Sequence, residues 1–140
     1  MRLLSLVLAA ALSVAAMQAD RQASLCVMMS RMKAAAADAD AMSYIAALKD
    51  YNLTLLDGCP NRLLFGYAET SWRSSLRYWD LLVRGSATYL SGSLRRNRAV
   101  HAAVQRGDVA ETERRATVVL EHGRDQLLKV LADLPHKERT

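Results

Sequence analysis

The sequence predicts an all-α fold, a six-helix antiparallel bundle, and three observations carry this. Apolar residues fill 51% of the 140 positions, with Ala and Leu foremost. Gly is 6, Pro 2 and Phe 1, so both the punctuation and the raw material of a β-rich fold are scarce. Apolar positions recur at the three- and four-residue intervals of a helix face through nearly the whole chain. The periodic runs are separated by short breaks, as in a compact bundle. A chain of this length suits one domain, placed at residues 1–134, with a basic tail at 135–140 following Pro135.

The first helix is expected over roughly residues 2–17. Its run from Leu3 to Ala16 also fits a secretory signal, with one positive charge ahead of it and small residues Val14 and Ala16 at a cleavage spacing. It falls short of the roughly 20 residues that cross a bilayer, so no membrane span is expected. The second helix should begin near Asp20, whose carboxylate can accept from first-turn amides, with a stripe of Leu25, Met28, Met29, Met32 and Ala36. Such a methionine stripe is gap-filling core more often than a binding groove.

Asp38 and Asp40 supply the next cap, and the third helix runs to about Asp57 with Ile45, Leu48, Asn52 and Leu55 on one face. Gly58, Cys59 and Pro60 break the chain, and Pro60 suits the first position of the fourth helix because its missing N–H would have had no partner there. That helix carries Leu63, Leu64, Tyr67, Ala68, Ser71, Trp72, Ser75, Trp79 and Leu82. Gly85 to Gly92 is small and polar enough for a loop. The fifth helix follows over about 93–106, with Leu94, Asn97, Val100, His101 and Val104 inward, and ends at Gly107. Asp108 with Glu111 has the spacing of a capping box for the sixth, which is expected to bury Ala116, Val119, Leu120, Gly123, Leu127, Val130 and Leu131.

The formal charge of +5 and a pI near 9.6 would favour an anionic partner if the charges lay together. They fall in two short groups, Arg95/Arg96/Arg98 and Arg114/Arg115, with no aromatic residues interleaved as a single-strand binder requires, and are expected on a solvated face. Cys26 and Cys59 are too few for a disulfide framework or a Cys-rich zinc site, and two reduced thiols in a cytoplasmic protein are expected. There is no nucleophile–base pairing, phosphate loop or paired inner carboxylates, so no enzyme is expected.

Several short segments coincide in order with one family. Leu12 to Ala19 followed by Leu25 and Arg31-Met32 is similar to an opening helix pair. Tyr51-Asn52, nine residues before Asn61-Arg62-Leu63, resembles a Phe-His…Asn-x-x-Leu segment, and Trp72 and Tyr78 fall where a long central helix carries aromatics. The stretch from Asn97 through Val100 to Ala103-Val104 and Gly107-Asp108 resembles His-x-x-Ile…Ala-Ile-x-x-Gly-Asp. Together these resemble the FCD domain, the C-terminal sensor of one branch of GntR-type regulators, over about Arg2 to Leu131.

The resemblance implies an effector-binding and dimerisation domain, with Leu3 to Ala16 as its first helix. Many members hold a divalent metal with one Asp and three His. By the resemblance those positions fall at Leu48, Asn52, Asn97 and Val119, none a strong ligand, so no metal and no other cofactor are expected. His122, offset by three residues from the last position, lies on the flank by periodicity. What remains is two amides on facing helices. Buried amides need partners, so Asn52 and Asn97 should bond a ligand's polar group or join a core network.

Tyr51, Ser71, Ser75 and Tyr78 are further candidates for the wall, and His101 is either a satisfied core histidine or a pocket donor. The effectors implied by the resemblance are small organic acids, for which Arg73 and Arg77 are the candidate grips if they turn inward. The expected function is ligand sensing by a homodimer. The winged helix that the resemblance would place ahead of this domain has no residues in this sequence, so no direct DNA contact is expected of the chain. A secreted helical protein, with residues 1–16 cleaved, is the alternative.

Overall fold

A computed structural model describes residues 2–133, with side chains from Ser5 onward. Among these residues there are six helices and no strand: α1 (Arg2–Ala15), α2 (Ala19–Ala37), α3 (Ala41–Asp57), α4 (Arg62–Gly85), α5 (Ala87–Arg106) and α6 (Val109–Asp133). The tail expected at 135–140 lies outside the described residues. Neighbouring helices joined by breaks of a few residues pack side by side, α2 on α3, α3 on α4 and α5 on α6, and α1 closes the bundle against α6, α4 and α3.

The core is one continuous cluster that runs from Leu6, Val7, Ala9, Ala10 and Val14 of α1 to Leu120 of α6. The run expected to be either a signal or a domain helix is thus a packed wall of the bundle. Leu25, Met29 and Met32 of α2 are fully enclosed, so the methionine stripe is core. No described helix is long and apolar enough to cross a membrane.

The helix ends correct several expectations. Gln18, not Asp20, precedes α2, and Asp20 sits inside the first turn, where its charge meets the positive end of the helix dipole. Asp40 caps α3 as expected, its carboxylate accepting from the Ser43 amide at 3.1 Å. Pro60 stays in the connection. Asn61 caps α4 instead, its amide oxygen accepting from the Leu64 N–H at 3.1 Å, and a side chain that can accept outweighs proline's preset backbone here.

The expected loop from Gly85 to Gly92 is absent. Ser86 alone separates α4 from α5 in extended conformation, and its hydroxyl accepts from the Tyr89 amide, so helix resumes at Ala87 and buries Tyr89 and Leu90. Of the small residues that suggested a loop only Gly92 is closely packed, where a Cβ would press on the Arg96 guanidinium; Gly85, Ser86, Ala87, Thr88 and Ser91 are exposed helix-end and helix-surface positions. The capping box at α6 is half-formed, because Asp108 accepts from the Glu111 amide while the Glu111 carboxylate turns to Arg114 and Arg115. Leu63 and Tyr67 of α4 and Leu131 of α6 are exposed rather than inward.

Candidate functional site

Five of the six helices converge on one internal cavity. Leu6 and Ala10 of α1, Tyr51, Asn52, Leu55 and Leu56 of α3, Trp72 of α4, Asn97 and Val100 of α5, and Ala116, Val119 and Leu120 of α6 form its wall. The two amides singled out by periodicity therefore meet at one place, with an otherwise apolar lining. The cavity is about 40 Å³, room for about one water molecule.

Each amide is anchored to its own helix. Asn52 Nδ2 donates to the Leu48 carbonyl at 3.1 Å, and Asn97 Nδ2 to the Ser93 carbonyl at 2.9 Å and the Ser93 hydroxyl at 3.3 Å. A backbone carbonyl can only accept, so these bonds fix which side-chain atom is nitrogen. Neither Oδ1 takes a hydrogen bond among the described residues, and the site offers two acceptor oxygens.

Two buried pairs brace this arrangement. The Tyr44 hydroxyl lies 2.8 Å from Ser93 Oγ, which links α3 to the Asn97 anchor, and burial pushes the Tyr44 hydroxyl up to about 12. The Tyr51 hydroxyl lies 2.7 Å from His101 Nδ1, with the rings edge to face at 5.5 Å. Burial raises the Tyr51 pKa, and burial aided by Lys33 lowers that of His101, so both stay neutral near pH 7. A hydroxyl donating to an unprotonated Nδ1 satisfies both. His101 is thus a satisfied core histidine that holds Tyr51 in the cavity wall.

The other expected wall residues are elsewhere. Ser71 is half-buried but not on the lining, and Ser75 donates to the Trp72 carbonyl at 2.7 Å while accepting from Trp79 Nε1 at 3.1 Å. Tyr78, Arg73 and Arg77 are on the outer surface, where Arg73 pairs with Glu69 at 3.3 Å and Arg77 donates to the Tyr78 hydroxyl at 2.8 Å. No arginine or lysine lines the cavity.

The metal positions implied by the family do not fit a metal. Asn52, Asn97 and Val119 line the cavity but bring two amides and an aliphatic group, and Leu48 is simply core. Among the described residues no three His, Cys, Asp or Glu side chains gather where they would hold an ion. His122 is stacked on Tyr89, with ring centroids 6.1 Å apart, outside this cavity.

Sequence reading missed Tyr44 and Ser93. The buried stripe of α3 is Tyr44, Leu48, Tyr51 and Leu55, one step from the expected stripe through Ile45, and tyrosine's mixed polarity hid it. Ser93 was placed at a helix start and is instead the second turn of a longer helix.

Comparisons with known proteins agree with this architecture. A family model described as the FCD domain matches residues 3–122. The solved structure of E. coli McbR/YncC is similar, with a TM-score of 0.79 over 91% of this chain and 64% of that one, at 16% sequence identity. That identity speaks to fold alone, and this chain spans 64% of the length of that protein. No curated protein matches the sequence at a significant level.

Proposed function

Because the chain belongs to the FCD domain family of GntR-type regulators, we propose that it is a ligand-sensing and dimerisation domain whose effector enters the cavity between Asn52 and Asn97. The observation that carries this is the pairing of two fixed amide acceptors in an otherwise apolar pocket at the junction of five helices. Binding, not catalysis, is what such a lining supports, since no nucleophile, base pair or metal group lies there.

The lining also selects the effector's chemistry. A carboxylate would be buried here without a cation, which is costly, whereas a hydroxyl or N–H finds two waiting oxygens. The effector's group at this point is therefore a donor, as on a small hydroxylated metabolite or hydroxy acid. Family effectors need more room than this, since ligand pockets run to about 300–1,000 Å³. Helices around the cavity must open to admit one, and affinity is reduced by the fraction of time they are closed. An effector that binds the open form shifts the homodimer toward it by its difference in affinity for the two forms, and by no other means. DNA contact, on this reading, belongs to a winged helix and not to these helices.

Thermal melts test the proposal. Among small polyols and hydroxy acids, paired with their deoxy counterparts, hydroxylated members should raise the melting temperature of the wild type and leave Asn52→Leu unmoved. Trp72, on the cavity wall, should report the same binding by fluorescence. If none of these compounds acts while one equivalent of zinc or nickel stabilises the protein, the reading of the site is wrong.

A further inference from the structure

A second recess lies where α4 passes to α5, away from the cavity and sharing no lining residue with it. It is a groove of about 600 Å³ with Leu81, Leu82 and Val130 on its apolar side and Arg95, Arg96 and His122 on its polar side. No Asp or Glu lines it.

Arg96 was expected on a solvated face and is half-buried instead. Its guanidinium lies over the Tyr89 ring at 5.4 Å and hydrogen-bonds the Tyr89 side chain, while its Nη2 is enclosed without a hydrogen-bond partner among the described residues. The other basic group behaves differently: Arg114 and Arg115 share the Glu111 carboxylate. Arg73 and Arg84 likewise have carboxylates on their own helix. Arg96 thus has a tyrosine but, among the described residues, no carboxylate against it, and a cation without a counter-charge at the edge of an open groove is placed to receive an anion. The first turn of α5 lines the same groove through Thr88 and adds the positive end of a helix dipole.

We propose that this groove binds a small organic carboxylate, with the oxyanion on Arg96, Arg95 and His122 flanking it, and an apolar body against Leu81, Leu82 and Val130. A guanidinium suits a carboxylate because two parallel N–H bonds reach both oxygens. The aliphatic wall separates such a ligand from inorganic phosphate, which would gain nothing from it.

The site is independent of the cavity around Asn97, and its test keeps the two apart. Benzoate titrated into the 140-residue chain at constant ionic strength should perturb the His122 ring resonances and raise that residue's pKa. Burial and then Arg96 hold it low in the free protein, with Asp125 opposing and Lys129 and Arg95 assisting; the α4 residues on the lining carry no charge. Arg96→Gln should weaken benzoate about tenfold or more, and Arg95→Gln by a smaller factor. Asn97→Leu should leave it unchanged. Arg95 is exposed, so its variant reports even if Arg96→Gln fails to fold. Absence of benzoate binding, or binding unaffected by whichever of these arginine variants folds, would overturn the site. Inorganic phosphate binding as tightly as benzoate would overturn its assignment to carboxylates.

Discussion

Tyr51 and His101 show how much of the cavity's character depends on protons. His101 and His122 both have pKa values held below the ordinary 6.5, His101 by burial and then Lys33, His122 by burial and then Arg96. The unfolded chain therefore binds more protons than the folded one between each lowered value and about 6.5, and stability falls as pH drops through that window. Urea midpoints at about pH 7.5 and about pH 5 should differ in that sense, and His101→Gln should flatten the difference. The inward placement of Asn52, Asn97 and His101 was legible in the sequence because helical periodicity assigns faces. Their partners were not: the Tyr51 hydroxyl on His101 is set by contact between α3 and α5, and periodicity does not say that each amide turns back to a carbonyl of its own helix. Arg96 was misjudged for a related reason: a long side chain can leave its backbone's face and come to rest under a neighbour.

The ends of α2 and α5 are a controlled comparison written into one chain. Both close with the same pair of hydrogen bonds, Asp40 N–H to Ala35 and Ala39 N–H to Ala36 in one, Asp108 N–H to Ala103 and Gly107 N–H to Val104 in the other. The residue in left-handed conformation is Ala39 at φ 53° in the first and Gly107 at φ 68° in the second. An alanine there costs about 1 kcal/mol that a glycine does not. Ala39→Gly should therefore stabilise, and Gly107→Ala destabilise, by about 1 kcal/mol each in denaturant unfolding. Gly107 was readable as a stop because glycine is the usual residue there, whereas Ala39 carried no such signal. Ser86 failed in the opposite direction: a run of small residues looked like a loop, and a single capping hydroxyl was enough to turn one helix into the next without it.

The bundle leaves α4 with an uncovered outer side, where Leu63 is 72% and Tyr67 63% exposed. On the dimer reading these side chains are covered by a second copy. Leu63→Glu combined with Tyr67→Glu should then halve the sedimenting mass without lowering helix content; an unchanged mass would place the contact elsewhere. The count of helices and the single core were legible from spacing alone, but which helix closes the bundle was not, because periodicity says which side of a helix is apolar and nothing about what covers it. The answer is that α1 rests on α6, the first described helix against the last. On the ribosome, the apolar side of α1 has to wait for the four intervening helices before its largest neighbour emerges. A transcript cut short before residue 109 should accordingly yield inclusion bodies or chaperone-bound product, not a smaller soluble bundle.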